Sequence, residues 1–263
     1  RQRFVEHGVE HIDERHVRGN GAVKLRCLID DRAHQLAAGR AAESSIFFEL
    51  AGFDARERRA GAVIMDETLV SAALGIYGRW RNGLGSTSYF SQVLLGRAAS
   101  PRDDLRSRFD ADDDYARLNL ALRHRARLEP DLALTLRAAA QIADGPLPRP
   151  EEMALGGRLF GRGYRPGALR GDSALALSLE AAYLGAPDAL FYKQLQPYFF
   201  VDGAMSFNGP FNHWSRDELA SAGLGLRLYA LDHLNLEWEA AKPVINLGQD
   251  QSWRHNLNVR VGF

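Results

Sequence analysis

The sequence predicts an all-β, antiparallel fold, and three observations carry that prediction. Apolar and polar residues alternate at period two in about eleven or twelve separate segments. Few stretches show the 3.6-residue spacing of a helix, so neither a helical repeat nor a Rossmann pattern fits. Compact turn signals such as Asn82-Gly83 and Glu129-Pro130-Asp131 divide neighbouring segments. A length of 263 residues suits one large β-barrel domain or two small domains.

Taken in order, residues 1–20 are polar and rich in His and Glu. His7 and His11 stand i, i+4 with His16 beyond, a spacing that would serve a metal on a helix. A solvated terminus is the simpler reading. Strands then begin. Val23, Leu25, Cys27 and Ile29 alternate with Lys24, Arg26 and Asp30; Ile46, Phe48 and Leu50 alternate with Phe47, Glu49 and Ala51. Val70, Ala72, Leu74 and Ile76 share one face, with Ser71, Ala73, Gly75, Tyr77 and Arg79 on the other. Asn82-Gly83 turns the chain into a return strand over residues 87–95. Residues 97–114 hold two arginine–aspartate clusters, Pro101–Asp104 and Asp110–Asp114. They lack the spacing of a calcium loop and read as a solvated connection.

The second half alternates more cleanly. Leu118, Leu120 and Leu122 oppose Arg117, Asn119 and Arg123; Leu132, Leu134 and Leu136 oppose Thr135, Arg137 and Gln141. Leu175, Leu177 and Leu179 oppose Ser178 and Glu180; Leu195, Phe199 and Val201 oppose Gln196, Tyr198 and Asp202. Leu224, Leu226 and Leu228 oppose Arg227 and Tyr229, and Leu234, Leu236 and Trp238 oppose Asn235, Glu237 and Glu239. Leu231-Asp232-His233 is a further short turn. Leu257, Val259, Val261 and Phe263 close the chain opposite Asn256, Asn258 and Arg260.

One connection stands apart. Residues 145–173 form a long loop, and its centre, Gly156–Asp172, reads GGRLFGRGYRPGALRGD. Loops beyond roughly 12–15 residues are usually functional or disordered. Its glycines open backbone conformations closed to other residues, Pro166 fixes one turn, and Tyr164 sits where a floppy linker has no aromatic. The loop is therefore expected to pack into something, with its arginines needing partners.

Composition narrows the classes. Lys plus Arg and Asp plus Glu both number 33, a net charge of zero that argues against nucleic acid as a partner. Cys27 is the single cysteine, so neither an intrachain disulfide nor a Cys-based zinc site is possible. No stretch approaches the roughly 18 apolar residues of a transmembrane helix. Barrel strands need only about 9–11 residues, with every second one apolar. A soluble sandwich also alternates, and both architectures stay open on periodicity alone. The uninterrupted Leu/Ala/Val face and the crowded opposite face, with charges of both signs, suit a barrel with a water-filled lumen. Trp80, Tyr183, Trp238 and Trp253 would suit interfacial aromatic girdles and core packing equally well. The chain starts on Arg1 with no signal-like region, so either an export signal was removed or the chain is a piece of a longer one.

No GxSxG, HExxH, Walker or GxGxxG motif occurs. Glu237 and Glu239 lie on one strand face about 7 Å apart by the strand rise, a pair a glycosidase would use. Neutralising lumen arginines is the simpler role. Neither catalytic residues, cofactor nor metal is expected.

Gly161-Arg162-Gly163-Tyr164 resembles the Arg-Gly-Tyr/Phe loop motif of the two-partner secretion transporters of the hemolysin-activator (ShlB/FhaC) type, within the outer-membrane insertase and translocase superfamily. Phe200-Val201-Asp202-Gly203, Ser221–Arg227, Glu239–Pro243 and a terminal Phe263 follow in the same order, so the resemblance covers roughly residues 115–263. It implies an antiparallel transmembrane β-barrel in the Gram-negative outer membrane, with the long loop folded into its lumen. The function implied is a pore that passes one unfolded secreted partner, hemolysin- or adhesin-like, to the cell surface without cofactor or covalent chemistry. Arg162 and Asp202 would pair inside the lumen, with Gly163 and Tyr164 completing the loop motif and Phe200 and Gly203 the second one. Phe263 resembles the signal by which the barrel-assembly machinery recognises its clients. Family members carry soluble periplasmic domains and sixteen strands. This chain has no room for the former and about 12 strands of the latter, so it is expected to be N-terminally incomplete. Three alternatives remain: an insertase of the same superfamily, an outer-membrane barrel enzyme using Glu237 or Glu239, and a soluble β-sandwich binding module.

Overall fold

The computed structural model describes residues 23–36, 40–185, 194–209, 215–230, 234–248 and 252–262, with backbone alone for 23–36, 40, 41 and 230. Thirteen strands follow in order: β1 (Val23–Leu36), β2 (Arg40–Arg59), β3 (Ala62–Asn82), β4 (Gly85–Ala99), β5 (Asp114–Glu129), β6 (Leu132–Ala143), β7 (Met153–Leu155), β8 (Leu169–Gly171), β9 (Ser173–Tyr183), β10 (Gln194–Asn208), β11 (Ser215–Ala230), β12 (Leu234–Pro243) and β13 (Arg254–Val261). Eleven of them pair in the order β1-β2-β3-β4-β5-β6-β9-β10-β11-β12-β13, and β7 pairs with β8 as a separate hairpin. Every pairing is antiparallel. Among the described residues β1 and β13 do not pair with each other. No helix among them is long and apolar enough to cross a membrane.

Antiparallel neighbours put alternate connections at opposite ends. At one end lie the short ones. The turn between β3 and β4 is closed by Asn82 Oδ1, which accepts from the Leu84 and Gly85 N–H groups. Between β5 and β6 only Pro130 and Asp131 intervene. Residues 1–20, the turn Leu231-Asp232-His233 and Phe263 lie outside the described residues. At the other end lie the long connections, 100–113 and 144–172. The hairpin of β2 and β3 also reaches this end. Its strands run 20 and 21 residues, about twice what a tilted strand needs to cross a bilayer. The surplus is polar, with Thr68 bonded to Asp54 and Arg56 to Asp66.

Side chains sort by face as period two dictates. Outward stand Leu74, Leu120, Leu136, Leu177, Phe199, Leu224 and Val259, all exposed. Trp80, Tyr183, Trp238 and Trp253 are exposed as well. Inward positions are mostly small, polar or charged, with apolar clusters that depart from the expected wet lumen. Phe47 faces inward and is 1% exposed, its ring 6.0 Å from Tyr77 and 5.8 Å from Phe90. A Cβ on Gly75 would sit 2.4 Å from Phe47 Cζ, so that glycine makes room for the ring. Toward the long-loop end Leu69, Leu94, Tyr115 and Leu147 form an apolar cluster with inward alanines.

Segment 144–172 does not project into solvent. It turns back onto the inward face, where Met153, Leu155, Phe160 and Tyr164 pack on Ala139, Ala174, Ala176, Ala204 and Leu219. The alanines matter: small inward residues leave the space that a folded-in loop fills at native packing density.

Candidate functional site

Strands β7 and β8 form the stem of the inward segment, so residues 156–168 are its tip. Gly156, Gly157, Gly161 and Gly167 adopt positive φ, the backbone region that glycine enters at no steric cost. The tip is closed on itself by the Gly156 N–H to the Phe160 carbonyl and the Tyr164 N–H to the Gly161 carbonyl, both 2.9 Å. Gly163 is required for a different reason. A Cβ there would lie 2.7 Å from the Pro243 nitrogen and 2.8 Å from the Lys242 carbonyl carbon, so the tip backbone touches β12 directly. The Tyr164 hydroxyl lies 2.8 Å from the Ala220 carbonyl and 2.6 Å from the Ile245 carbonyl, and accepts from the Ile245 N–H at 3.1 Å.

Next to these contacts Arg162 enters the lumen wall and is 3% exposed. Its Nε and Nη2 donate to Asp202 Oδ2 and Oδ1 at 3.1 and 2.9 Å, and its backbone N–H also donates to Oδ2 at 3.0 Å. Nη1 reaches Glu239 at 3.0 Å and Glu180 at 3.4 Å, and Nη2 reaches Ser178 Oγ at 3.2 Å. Ser221 donates to Asp202 at 3.3 Å. A planar guanidinium with donors in a fixed fork suits a bidentate carboxylate. Burial of such an ion is tolerable only when its donors are met this fully.

A second tier supports the first. Arg227 holds Glu180 with two bonds, 2.8 and 3.1 Å, and Glu237 at 2.7 Å. The Tyr198 hydroxyl lies 2.9 Å from Glu239 and 3.1 Å from Glu237, while Arg137 and Arg158 approach Glu180 and Glu237 at 3.4 and 3.6 Å. Four arginines thus meet four carboxylates. The guanidinium of Arg162 lies 3.3 Å above the Phe200 ring and that of Arg227 3.9 Å above Tyr198. Those rings lie flat because of what they face across the β10–β11 ladder, Gly223 opposite Phe200 and Gly225 opposite Tyr198. A Cβ on either glycine would stand 2.5 Å or less from the ring. Two glycines therefore make two aromatic platforms, and each platform carries an arginine.

Below the tip, toward the short-turn end, a cavity of about 590 Å³ is lined by Arg123, Arg137, Arg227, Glu180, Glu237 and the tip itself. Glu237 and Glu239 both face it as paired acceptors in the network. Among the described residues no cluster of His, Cys, Asp and Glu could hold a metal ion.

The expected site residues fall as follows. Arg162 and Asp202 are in direct contact, Phe200 lies beneath the guanidinium, and Gly163 and Tyr164 pin the tip against the β11–β12 end. Gly203 takes no part in the contact: it stands on the outward side of β10, and a Cβ there would meet nothing nearer than 4.0 Å. Sequence reasoning placed Tyr198 and Ser178 on the polar face without assigning them to the site, and it passed over the pairing of Gly223 and Gly225 with aromatics, for which glycines alternating with leucines in a strand were the available signal. One expectation is corrected. Connection 100–113 is not a solvated loop throughout, because the Arg108 side chain, 13% exposed, pairs with the fully buried Asp172.

These features define an antiparallel β-barrel fold whose lumen is entered by one long loop, locked to the wall through an arginine. The chain belongs to the family described as Haemolysin secretion/activation protein ShlB/FhaC/HecB, whose sequence profile matches residues 66–228. Two solved structures share the fold. CdiB from Acinetobacter baumannii matches with a TM-score of 0.66 at 17% identity over 91% of this chain, and CdiB from Escherichia coli with 0.63 at 14% identity over 92%. The chain spans only 41% and 49% of the length of those two proteins. No curated protein matches it in sequence.

Proposed function

We propose that this chain supplies the larger part of an outer-membrane pore that passes a secreted partner protein, hemolysin- or adhesin-like, to the cell surface. The observation that carries the reading is the lock itself. A loop of a transport-family barrel enters the lumen, and its arginine is held by side chains from β9, β10 and β12. Such a loop obstructs the lumen at rest and must move for a polypeptide to pass. The substrate class is an unfolded chain, and the site is charge and shape without a nucleophile. Glu237 and Glu239 support a non-enzymatic role, since the arginines and Tyr198 occupy them. The outward apolar face suits the lipid of the outer membrane. The barrel-assembly machinery is the proposed partner for biogenesis.

The test is secretion. The full-length protein is co-expressed in a Gram-negative host with the secreted protein encoded beside it. The reading expects the partner at the surface only when the pore is present, and fewer secreted molecules with Arg162→Ala. Partner export that is independent of the pore contradicts it. So does loss of resident porins on depletion, which marks an insertase.

A further inference from the structure

The inward segment is held at a second place, far from the Arg162 lock and built differently. Asp172 ends the segment and is 0% exposed. Its Oδ1 accepts from the Leu147 N–H at 2.8 Å, near the start of the same segment. Oδ1 also accepts from Arg108 Nη1 at 2.5 Å, out of connection 100–113, and Oδ2 accepts from the Gly209 N–H at 3.2 Å, beyond β10. The Asp172 N–H donates to Asn208 Oδ1 at 3.2 Å, and its carbonyl accepts from Gln141 Nε2 at 2.9 Å. One carboxylate thereby joins both ends of the segment to two neighbouring connections.

Arg108 is oriented for that role. Asp110 holds its Nε at 2.7 Å and its Nη2 at 3.1 Å, leaving Nη1 for Asp172 and for Glu152 at 3.4 Å. Burial pushes the Glu152 carboxyl above the ordinary carboxylate range, against the pull of Arg108. Backbone bonds tie the same two connections, with the Asp112 N–H to the Pro146 carbonyl at 3.0 Å and the Arg149 N–H to Ser107 Oγ at 3.1 Å. The two anchors differ in kind. At the tip, the segment meets the wall through the side chains of Arg162, Tyr164 and Phe160 and through the Gly163 backbone seated on β12. At the base, backbone groups of several connections converge on one buried acceptor, and those groups would be left unpaired if it moved.

We infer that Asp172 and Arg108 are positioning residues that pin the base of segment 144–172, so that the tip leaves the lumen as a flap hinged at Asp172 while the base stays in place. The inference rests on the reading of this segment as the obstruction of a translocation pore. Release of the tip then needs the Arg162 and Tyr164 bonds, the Gly163 seat on β12 and the Phe160 packing to give way, while the base keeps its register.

The experiment uses the full-length protein in detergent and in planar bilayers, with variants Arg162→Ala, Arg108→Ala, Arg108→Lys and the double variant Arg162→Ala/Arg108→Ala. Limited proteolysis maps cleavage near residues 100–113 and 144–150, and single-channel recording counts openings. Cleavage follows the population of the open form. Arg162→Ala is expected to raise channel openings while cleavage at the base stays at the wild-type rate. Arg108→Ala is expected to speed base cleavage about tenfold or more, the loss of one buried charge-assisted hydrogen bond. Arg108→Lys restores much of the protection, and the heat-modified gel mobility of the barrel is unchanged in both. Base cleavage in Arg108→Ala at the wild-type rate overturns the inference, as does Arg162→Ala exposing the base as fully as the double variant. A complete absence of conductance in every variant contradicts the pore reading instead, and the cleavage map still decides the hinge.

Discussion

The two faces of the same strands obey opposite rules. On β10 the outward residues Phe199 and Val201 are 55% and 40% exposed, while inward Phe200 and Asp202 are 0% and 4% exposed. On β6, β9 and β10 the charged residues Arg137, Glu180 and Asp202 all face inward, and every carboxylate of the lock is met by a guanidinium. The outward band of Leu118–Leu122, Leu132–Ile142 and Leu175–Tyr183 carries none at its alternate positions. The difference teaches where water and partners are. A charge inside has a counter-charge a few ångströms away, and in the proposed outer-membrane pore a charge outside would meet hydrocarbon.

The largest expected effect comes from breaking the inward face at its centre. Arg162→Ala and Asp202→Ala should each weaken docking of the tip by about 3–5 kcal/mol, because the remaining buried charge is stranded. Protease sensitivity of residues 156–168 reads this directly, and unchanged sensitivity in both variants speaks against the lock. Next is a comparison on one strand. Leu120→Arg places a charge on the outward side of β5 and should destabilise the barrel by roughly 2–4 kcal/mol near the bilayer midplane. Asn119→Arg, on the inward side beside Gln92, should be mild. Heat-modified gel mobility measures both, and equal damage refutes the assigned faces. The smallest pair sharpens the comparison with glycines. Gly163→Ala forces a Cβ into the β12 backbone and should destabilise tip docking by about 1–3 kcal/mol. Gly203→Ala adds a methyl to open outward space and should stay within about 0.5 kcal/mol. A larger loss at Gly203 than at Gly163, by the same protease assay, reverses the ranking.

Much of the outward face was legible in the sequence because period two is a local signal that needs no knowledge of the partner strand. Leu120 and Leu177 declare their face from their immediate neighbours. The inward face was legible only in part. Arg162 and Asp202 were paired from a resemblance, since nothing local joins residues 40 positions apart. Arg108 was misread for the same reason: a run of arginines and aspartates looks solvated until the fold brings Asp172 beneath it, 64 positions away. Phe47 was legible as facing the polar side, yet its burial depends on Gly75 and Phe90 arriving from other strands. The glycines of β11 were noticed as a motif, but their purpose appears only when Phe200 and Tyr198 lie across them.

The central claim is that Arg162 and Asp202 act as one unit that holds the tip in the lumen. A double-mutant cycle tests it most directly, with the rate of proteolysis of residues 156–168 as the readout, measured for wild type, Arg162→Ala, Asp202→Ala and the double variant. The account predicts strong coupling: each single variant loses nearly the whole protection, and the double is little worse than either. Defects that simply add in the double variant would show two independent residues and contradict the lock.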